Sequence, residues 1–363
     1  MDGRIGARTR ALPDSRFVAV SCGSLLDDVL RPQPTPAGLT SRDIVRKSIG
    51  FDSPERFPYS FIDPVASDFF ETALLHWRGY FEQGESLALG TRYLDDWNVQ
   101  REVSSGLFDR VLTSPLRDLS QLGKYSYPDL AAPEHYQVYE SLFAKAQDAG
   151  KYIVAADPVL LFERVRDLMG FEAMLLAPFK QRNGFESLLD RLTDLTLACL
   201  DQYADAGEVD AFMTWQDFGA QSGLIVSLDV FREFFQPRIA RIIDATHRRG
   251  MHFIWHCCGE ISSLIPEAIT MGVDVLQLDQ PRVIGHAALA ERCAGKICLW
   301  NSVDTIWSST PDLSVGALEA EIEAMTAPFR CGNGGFMARH YPQPDDIIVP
   351  DFFHSASRRA FLK

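Results

Sequence analysis

From residue 57 onward, short runs rich in β-branched and aromatic residues alternate with longer amphipathic stretches, and few architectures accept that order. The runs are Phe57–Ile62, Tyr152–Ala156, Ala211–Trp215, His252–His256, Val273–Leu278, Ile297–Trp300 and Phe329–Cys331. Helical patterns lie between them at Phe185–Tyr203, Ser227–Arg249, Glu260–Met271 and Ser314–Ala327. Repeated strand-then-helix units call for a parallel sheet whose faces the helices bury. In the second half the unit recurs roughly every 20 to 40 residues, as in a barrel. The expected fold is therefore α/β, a (β/α)8 TIM barrel over residues 41–363 with an N-terminal extension over residues 1–40. Pro13, Pro32, Pro34 and Pro36 break up any periodicity in that extension. The 363 residues exceed the ~250 of a typical barrel by enough for the extension and loop insertions.

Local signals support the helix expected at Ser227–Arg249. The Ser227 hydroxyl can accept from an early backbone N–H. Pro237 is expected to kink the helix, and Arg248-Arg249-Gly250 supplies a basic end with a left-handed stop.

A net charge of −14, with no basic run interleaved with aromatics, argues against nucleic acid as a partner. The chain has no apolar run of ~18 residues, so no membrane span is expected. Phe17–Cys22 is too short for a signal-peptide core and reads as a short strand. The cysteines are Cys22, Cys199, Cys257, Cys258, Cys293, Cys298 and Cys331, an odd and sparse set. That is not a disulfide framework; reduced thiols in a cytoplasmic setting are expected, some free to bind metal.

The strongest chemical signal is His252-Phe253-Ile254-Trp255-His256-Cys257-Cys258-Gly259. Strand side chains alternate faces, so His252, Ile254, His256 and Cys258 point one way, and Phe253, Trp255 and Cys257 point towards the covering helices. At a strand's C-terminal end, His256 and Cys258 would share the barrel mouth. Cys331, at the end of a later apolar run, could join them from a neighbouring strand. Two thiolates and an imidazole are a set that selects zinc, leaving a fourth position for water, substrate or a carboxylate. On spacing alone, His-x-Cys equally describes a core histidine beside packing cysteines. Asp217, in Trp215-Gln216-Asp217-Phe218-Gly219-Ala220-Gln221-Ser222-Gly223, follows another strand and is either a mouth carboxylate or a plain loop residue. Gln280, in Leu278-Asp279-Gln280-Pro281, and His340, in the loop expected after the last strand, carry the same ambiguity, while His286 and His354 read as ordinary loop histidines. Gly332-Asn333-Gly334-Gly335 lacks the context of a phosphate loop, and no Gly-x-Ser-x-Gly elbow is present.

Taken in order, these blocks resemble the uroporphyrinogen decarboxylase superfamily over roughly residues 40–345. Asp217–Ser227 looks like its "D-x-G-x-Q … S-P" segment, with Leu228 in place of proline. His256-Cys257-Cys258-Gly259 looks like its "H-x-C-G", and Gly272-Val273-Asp274 like its "G-x-D". Thr40–Phe57 is similar to its opening helix. Tyr93-Leu94-Asp95-Asp96-Trp97 resembles the "D-x-W-G" block of the methyltransferase-like branch, with Asn98 where glycine is usual.

The resemblance implies a (β/α)8 barrel and either of two chemistries. Decarboxylases of the superfamily need no metal and hold their substrate with an N-terminal arginine-rich motif. That motif is missing here, where Arg10, Arg16 and Arg31 are scattered. The other branch moves methyl groups to or from a corrinoid protein with zinc on His-x-Cys and a distant Cys, a pattern that His256, Cys258 and Cys331 match. The expected function is therefore zinc-dependent methyl transfer between a small substrate, such as a methoxylated aromatic (O-demethylation), and cobalamin carried by a partner protein. Asp217 is then a ligand or an orienting carboxylate. His340 is an acid or base, and Asp96, Gln221 and Gln280 bind substrate. A homodimer is implied by the resemblance alone. The alternatives are a metal-free decarboxylase and, given the departures at Leu228 and Asn98, an inactive barrel that only binds.

Overall fold

The computed structural model of the chain describes residues 23–72, 89–104, 109–330, 333–342 and 347–363. Eight parallel strands form its centre: β1 (Tyr59–Ile62), β2 (Phe69–Glu71), β3 (Tyr152–Ala156), β4 (Ala211–Trp215), β5 (His252–His256), β6 (Val275–Leu278), β7 (Cys298–Ser302) and β8 (Phe336–Arg339). They pair in the order β1-β8-β7-β6-β5-β4-β3-β2, so sequence neighbours are sheet neighbours and β1 returns beside β8. This is the barrel the alternation predicts.

The seam between β1 and β2 is bridged by a short strand, Val65–Ser67, antiparallel to β1, and by Asp68. The Asp68 N–H donates to the Tyr59 carbonyl (2.9 Å), and its carbonyl accepts from the Tyr152 N–H (3.0 Å). Its buried carboxylate accepts from both terminal nitrogens of Arg56, each at 2.7 Å, and from the Ser41 hydroxyl at 2.6 Å. A buried carboxylate is tolerated when paired and hydrogen-bonded in this way.

Strand alternation divides the core in two. Phe69, Tyr152, Val154, Ala211, Met213, Ile254, Val275, Cys298, Trp300 and Met337 fill the barrel interior. Phe253, Trp255, Cys257, Leu276, Leu299 and Phe336 pack between the sheet and its helices. Val45 and Ile49, on the helix Ser41–Ile49, join the interior set and plug the barrel floor. Arg42 and Arg46 anchor that helix to buried Asp210, just ahead of β4. With the floor filled by these side chains, the C-terminal strand ends are the place to look for chemistry.

Three expectations are corrected in detail. Phe329 and Arg330 finish the helix Val315–Arg330 instead of forming a strand, and the eighth strand is Phe336–Arg339. Leu318, Ile322, Met325 and Phe329 are buried at helical spacing, so Phe329 is the last member of a helix stripe; a short apolar run does not reveal which period it belongs to. β2 gave no recognisable signal, being three residues long. In the third case, Ser227 does cap its helix, accepting from the Val230 N–H at 3.2 Å, but the distortion lies ahead of Pro237. A π-helical turn spans Phe231–Phe235, and the regular helix Gln236–Arg248 then starts with proline in its first turn, where a missing N–H costs nothing. Among the described residues no helix is long and apolar enough to cross a membrane.

Candidate functional site

At the mouth, β4 and β5 end side by side and bring three donors together. The Cys258 sulfur lies 3.3 Å from His256 Nε2, and Asp217 Oδ1 lies 3.4 Å from the same nitrogen. One donor atom from each residue falls within 4.8 Å of the others. Tetrahedral zinc, with bonds of roughly 2.0–2.3 Å, sets such donors about 3.3–3.6 Å apart. The two separations measured from His256 Nε2 lie close to those edges. The His256 Nδ1 faces the Gln277 side-chain oxygen, which fixes the ring and leaves Nε2 for the cluster. Cys257 points outward into the core, where burial pushes its thiol well up, so it contributes no ligand.

Backbone packing makes this arrangement possible. Gly259 has φ +85°, and a Cβ there would sit 2.6 Å from the Gly219 carbonyl carbon and 2.7 Å from the Ala220 oxygen. A Cβ on Gly219 would meet the Cys258 oxygen at 2.3 Å. The loops after β4 and β5 thus touch main chain to main chain, joined by the Glu260 N–H donating to the Ala220 carbonyl at 2.8 Å. Asp217 then reaches over to accept from the Cys258 N–H at 2.8 Å. Its neighbour Phe218 anchors the loop, lying 4.3 Å from Phe162 and 5.1 Å from both Phe231 and Phe235, ring centre to ring centre. The π-helical turn supplies two of those rings.

The electrostatics favour a cation. Burial opposes charge on His256, but the Cys258 sulfur and the Asp217 carboxylate outweigh it and lift its proton affinity well above the ordinary value. Burial pushes the Cys258 thiol up, with His256 offsetting only part. Burial would also raise Asp217, yet the bond from His256 holds it below its usual range. A metal ion bound here would displace the shared protons.

Several contributors escaped the sequence reading. Gln277 and Asp279 lie on the β6 face that turns to the mouth. Asp279 Oδ1 accepts from Gln277 Nε2 at 2.8 Å and from the Ser302 hydroxyl at 2.7 Å. Period-two alternation along β6 was the signal that could have found them. Glu163, from the helix Leu161–Met169, accepts from the Asp217 N–H at 2.6 Å through Oε1, while Oε2 is buried without a partner. Burial and the Asp217 charge push Glu163 up to about 8. Its folded value lies above the ordinary 4.5, so its stabilising proton is fully held below that value and lost as pH rises through about 8. Glu163→Gln should flatten the decline in unfolding free energy between about pH 5 and pH 9. An unchanged slope in urea titrations would show that Glu163 ionises freely.

The remaining residues singled out from the sequence are scattered. Gln221 and Gln280 meet each other, Nε2 to Oε1 at 2.8 Å, across the loops flanking β5. Asp96 is half-buried in the turn between the strands Arg92–Leu94 and Gln100–Glu102. In that turn it is Asp95 that accepts from the Trp97 and Val99 N–H groups, and Asn98 takes φ +55°, the left-handed conformation for which glycine is usual. The structure does not bring His340 to the cluster: its ring faces outward from β8, 4.5 Å from Phe61, with Nε2 bonded to Ser357 at 2.9 Å. His286 pairs with Glu321 at 2.7 Å. Cys331 lies outside the described residues. Arg339, unremarked in the sequence, points into the barrel and pairs with Glu71 at 3.2 Å.

The uroporphyrinogen decarboxylase (URO-D) family profile matches residues 111–308, more than half of the chain and all of β3 to β7. The chain belongs to the uroporphyrinogen decarboxylase family. The matched region contains Asp217, His256 and Cys258; β8 and Arg339 fall beyond it. Among solved structures, a methyltransferase from Methanosarcina mazei shares the fold with a TM-score of 0.60 at 14% identity, covering 89% of this chain and 98% of that one. A glycosylated endo-β-1,4-xylanase from Gloeophyllum trabeum aligns less well, with a TM-score of 0.42 at 9% identity over 63% of this chain and 80% of that one. No curated protein matches the chain.

Proposed function

We propose that this family member is a zinc-dependent methyltransferase that moves a methyl group between a small substrate, such as a methoxylated aromatic, and a corrinoid carried by a separate protein. The observation that carries the reading is that the Cys258 sulfur and an Asp217 oxygen stand 3.3 Å and 3.4 Å from His256 Nε2, close to the edges of a zinc tetrahedron. The fold shared with the Methanosarcina mazei methyltransferase supports it. His256 and Cys258 would hold the ion, with Asp217 as a third donor and Cys331 as the further one the resemblance implies. Zinc held there would supply Lewis acidity to the heteroatom that bears or receives the methyl group. The chain's own residues do the rest. Gln277 keeps the His256 ring oriented, and Glu163 and the Cys258 N–H keep Asp217 in place. Gln221 and Gln280, bonded to each other in this state, can separate to donate to and accept from a substrate's polar groups.

A metal-free decarboxylase is the second reading, favoured by Arg339, a cation turned into the barrel from β8. Elemental analysis of the purified protein, followed by assay of methoxylated aromatics with a cobalamin-loaded partner, separates the two. About one zinc per chain and methylation of the corrinoid are expected. A well-folded, metal-free protein that releases carbon dioxide from its substrate would overturn the proposal.

A further inference from the structure

We propose that Arg101 is a positioning residue: it clamps the helix Leu161–Met169 to a small sheet beside the barrel, and through that helix it sets where Asp217 stands against His256 and Cys258. The inference deepens the reading of those three residues as a metal site and rests on it. The small sheet lies in the chain between β2 and β3. Its strands, Arg92–Leu94, Gln100–Glu102 and Arg110–Thr113, pair antiparallel in that order and form a sheet separate from the barrel. Its first turn holds the block Tyr93–Trp97, and that block folds around Asp95. One Asp95 oxygen accepts from the Trp97 and Val99 N–H groups at 3.0 and 2.8 Å, and the other accepts from Arg101 Nε at 2.7 Å. Arg101 then reaches out of the sheet, its Nη2 donating to Asp167 on the helix at 2.6 Å. The side chains of Arg101, Asp95 and Asp167 are 11%, 16% and 13% exposed. Ion pairs shielded to this degree are screened little by salt and hold their geometry better than exposed ones.

Two further contacts fasten the same helix to the small sheet. The Arg164 guanidinium carbon lies 4.2 Å from the centre of the Trp97 ring. The Leu116 N–H, just past the third strand, donates to the Leu168 carbonyl at 2.8 Å. At its other end the helix meets the site. Residues four apart share a helix face, so Glu163 stands one turn from Asp167. Glu163 accepts from the Asp217 N–H at 2.6 Å, and Asp217 accepts from the Cys258 N–H at 2.8 Å. The path from Asp95 through Arg101, Asp167, Glu163 and Asp217 to Cys258 is therefore continuous, every link being a charge-assisted bond or one turn of helix. The Phe162 N–H, donating to the Gln216 side chain at 2.8 Å, pins the start of the helix to the end of β4. A rod pinned at one end can still swing. The bonds to Asp167 and Leu168, a turn and more further along, stop that swing and so fix the place of Glu163 behind Asp217. Glu102, by contrast, pairs with Arg92 and Arg110 inside the small sheet.

The test is amide NMR of chelator-stripped protein carrying isotope-labelled cysteine, followed by zinc titration of the same samples. The Cys258 amide, identified by its absence from Cys258→Ser, reports the bond to Asp217 whether or not metal is bound. The decisive variant is Arg101→Gln/Asp167→Asn, which removes the cation together with one of its carboxylates and leaves Asp95 its two backbone N–H bonds. In it the Cys258 amide proton should move upfield, as a lengthened hydrogen bond requires, while those of Cys293 and Cys298 stay in place. Zinc should bind about five- to tenfold more weakly, the scale of coupling carried through such networks. Asp167→Asn alone keeps an acceptor for Arg101 and should give a smaller change of the same sign, which serves if the double variant does not fold. Glu102→Gln breaks two ion pairs in the same sheet and should move neither the amide nor the zinc affinity. A Cys258 amide that stays put in the clamp variants, or that Glu102→Gln moves as far, overturns the inference, as does unchanged zinc affinity in a protein that binds zinc. Wild type that takes up no zinc, while its Cys258 amide still answers to the clamp, overturns the metal reading alone.

Discussion

Cys258→Ser should purify as a folded protein that has lost its zinc and its methyl transfer together. Serine is close in size to cysteine, and Cys258 is partly exposed, so stability should change by less than about 1 kcal/mol. The hydroxyl, however, is a poor zinc ligand next to a thiolate. Removing a residue that merely supports a ligand typically costs roughly 10–100-fold in metal affinity, and losing a ligand should exceed that. Metal acting as a Lewis acid contributes several kcal/mol at the transition state, so activity should fall about a thousandfold or more. Elemental analysis, thermal unfolding and the corrinoid assay on one preparation check all three. If the variant keeps both zinc and activity, His256 and Cys258 are packing residues and the proposed chemistry is wrong.

The second large effect is expected from Gly259→Ala, which removes no functional group. The new Cβ would meet main-chain atoms of Gly219 and Ala220 at 2.6–2.7 Å, and neither can swing aside as a side chain could. To this is added the left-handed backbone, worth about 1–2 kcal/mol for any residue with a Cβ. Together these should cost about 2–4 kcal/mol. The loops after β4 and β5 can relieve the clash only by moving apart, which pulls Asp217 from Cys258, so zinc affinity should fall as well. Gly250→Ala is the matched control, because Gly250 has φ +72° but open space around its Cβ position. It should cost only the backbone part and leave metal content unchanged. Equal effects from the two substitutions would show that the close approach of the loops does not hold the site.

Much of the barrel was legible because strand alternation has period two and helix stripes have period 3.6. The run His252–Cys258 alone told which residues face the interior, and the structure puts Ile254 in the barrel and Trp255 under the helices, as that alternation requires. Where a segment was too short to show a period, the reading failed: Phe69–Glu71 went unseen, and Phe329 passed for a strand residue. The resemblance drew attention to Asp217 and to Asn98, but its reasons lay in three dimensions. Asn98 stands in for glycine because it adopts a positive φ, and Asp217 touches the His256 pair through loops that meet at two glycines.

The sequence by itself determined the repeating strand–helix order, the inward face of β5 and hence the pairing of His256 with Cys258 at one strand end, because all three depend on spacing along the chain. Only the tertiary structure decided that Asp217 joins them, that Glu163 stands behind it, that His340 turns away, and that Arg339 pairs with Glu71 inside the barrel. Those facts depend on where each strand ends and on which distant loops and helices meet there, and packing and barrel register set that while spacing along one strand cannot.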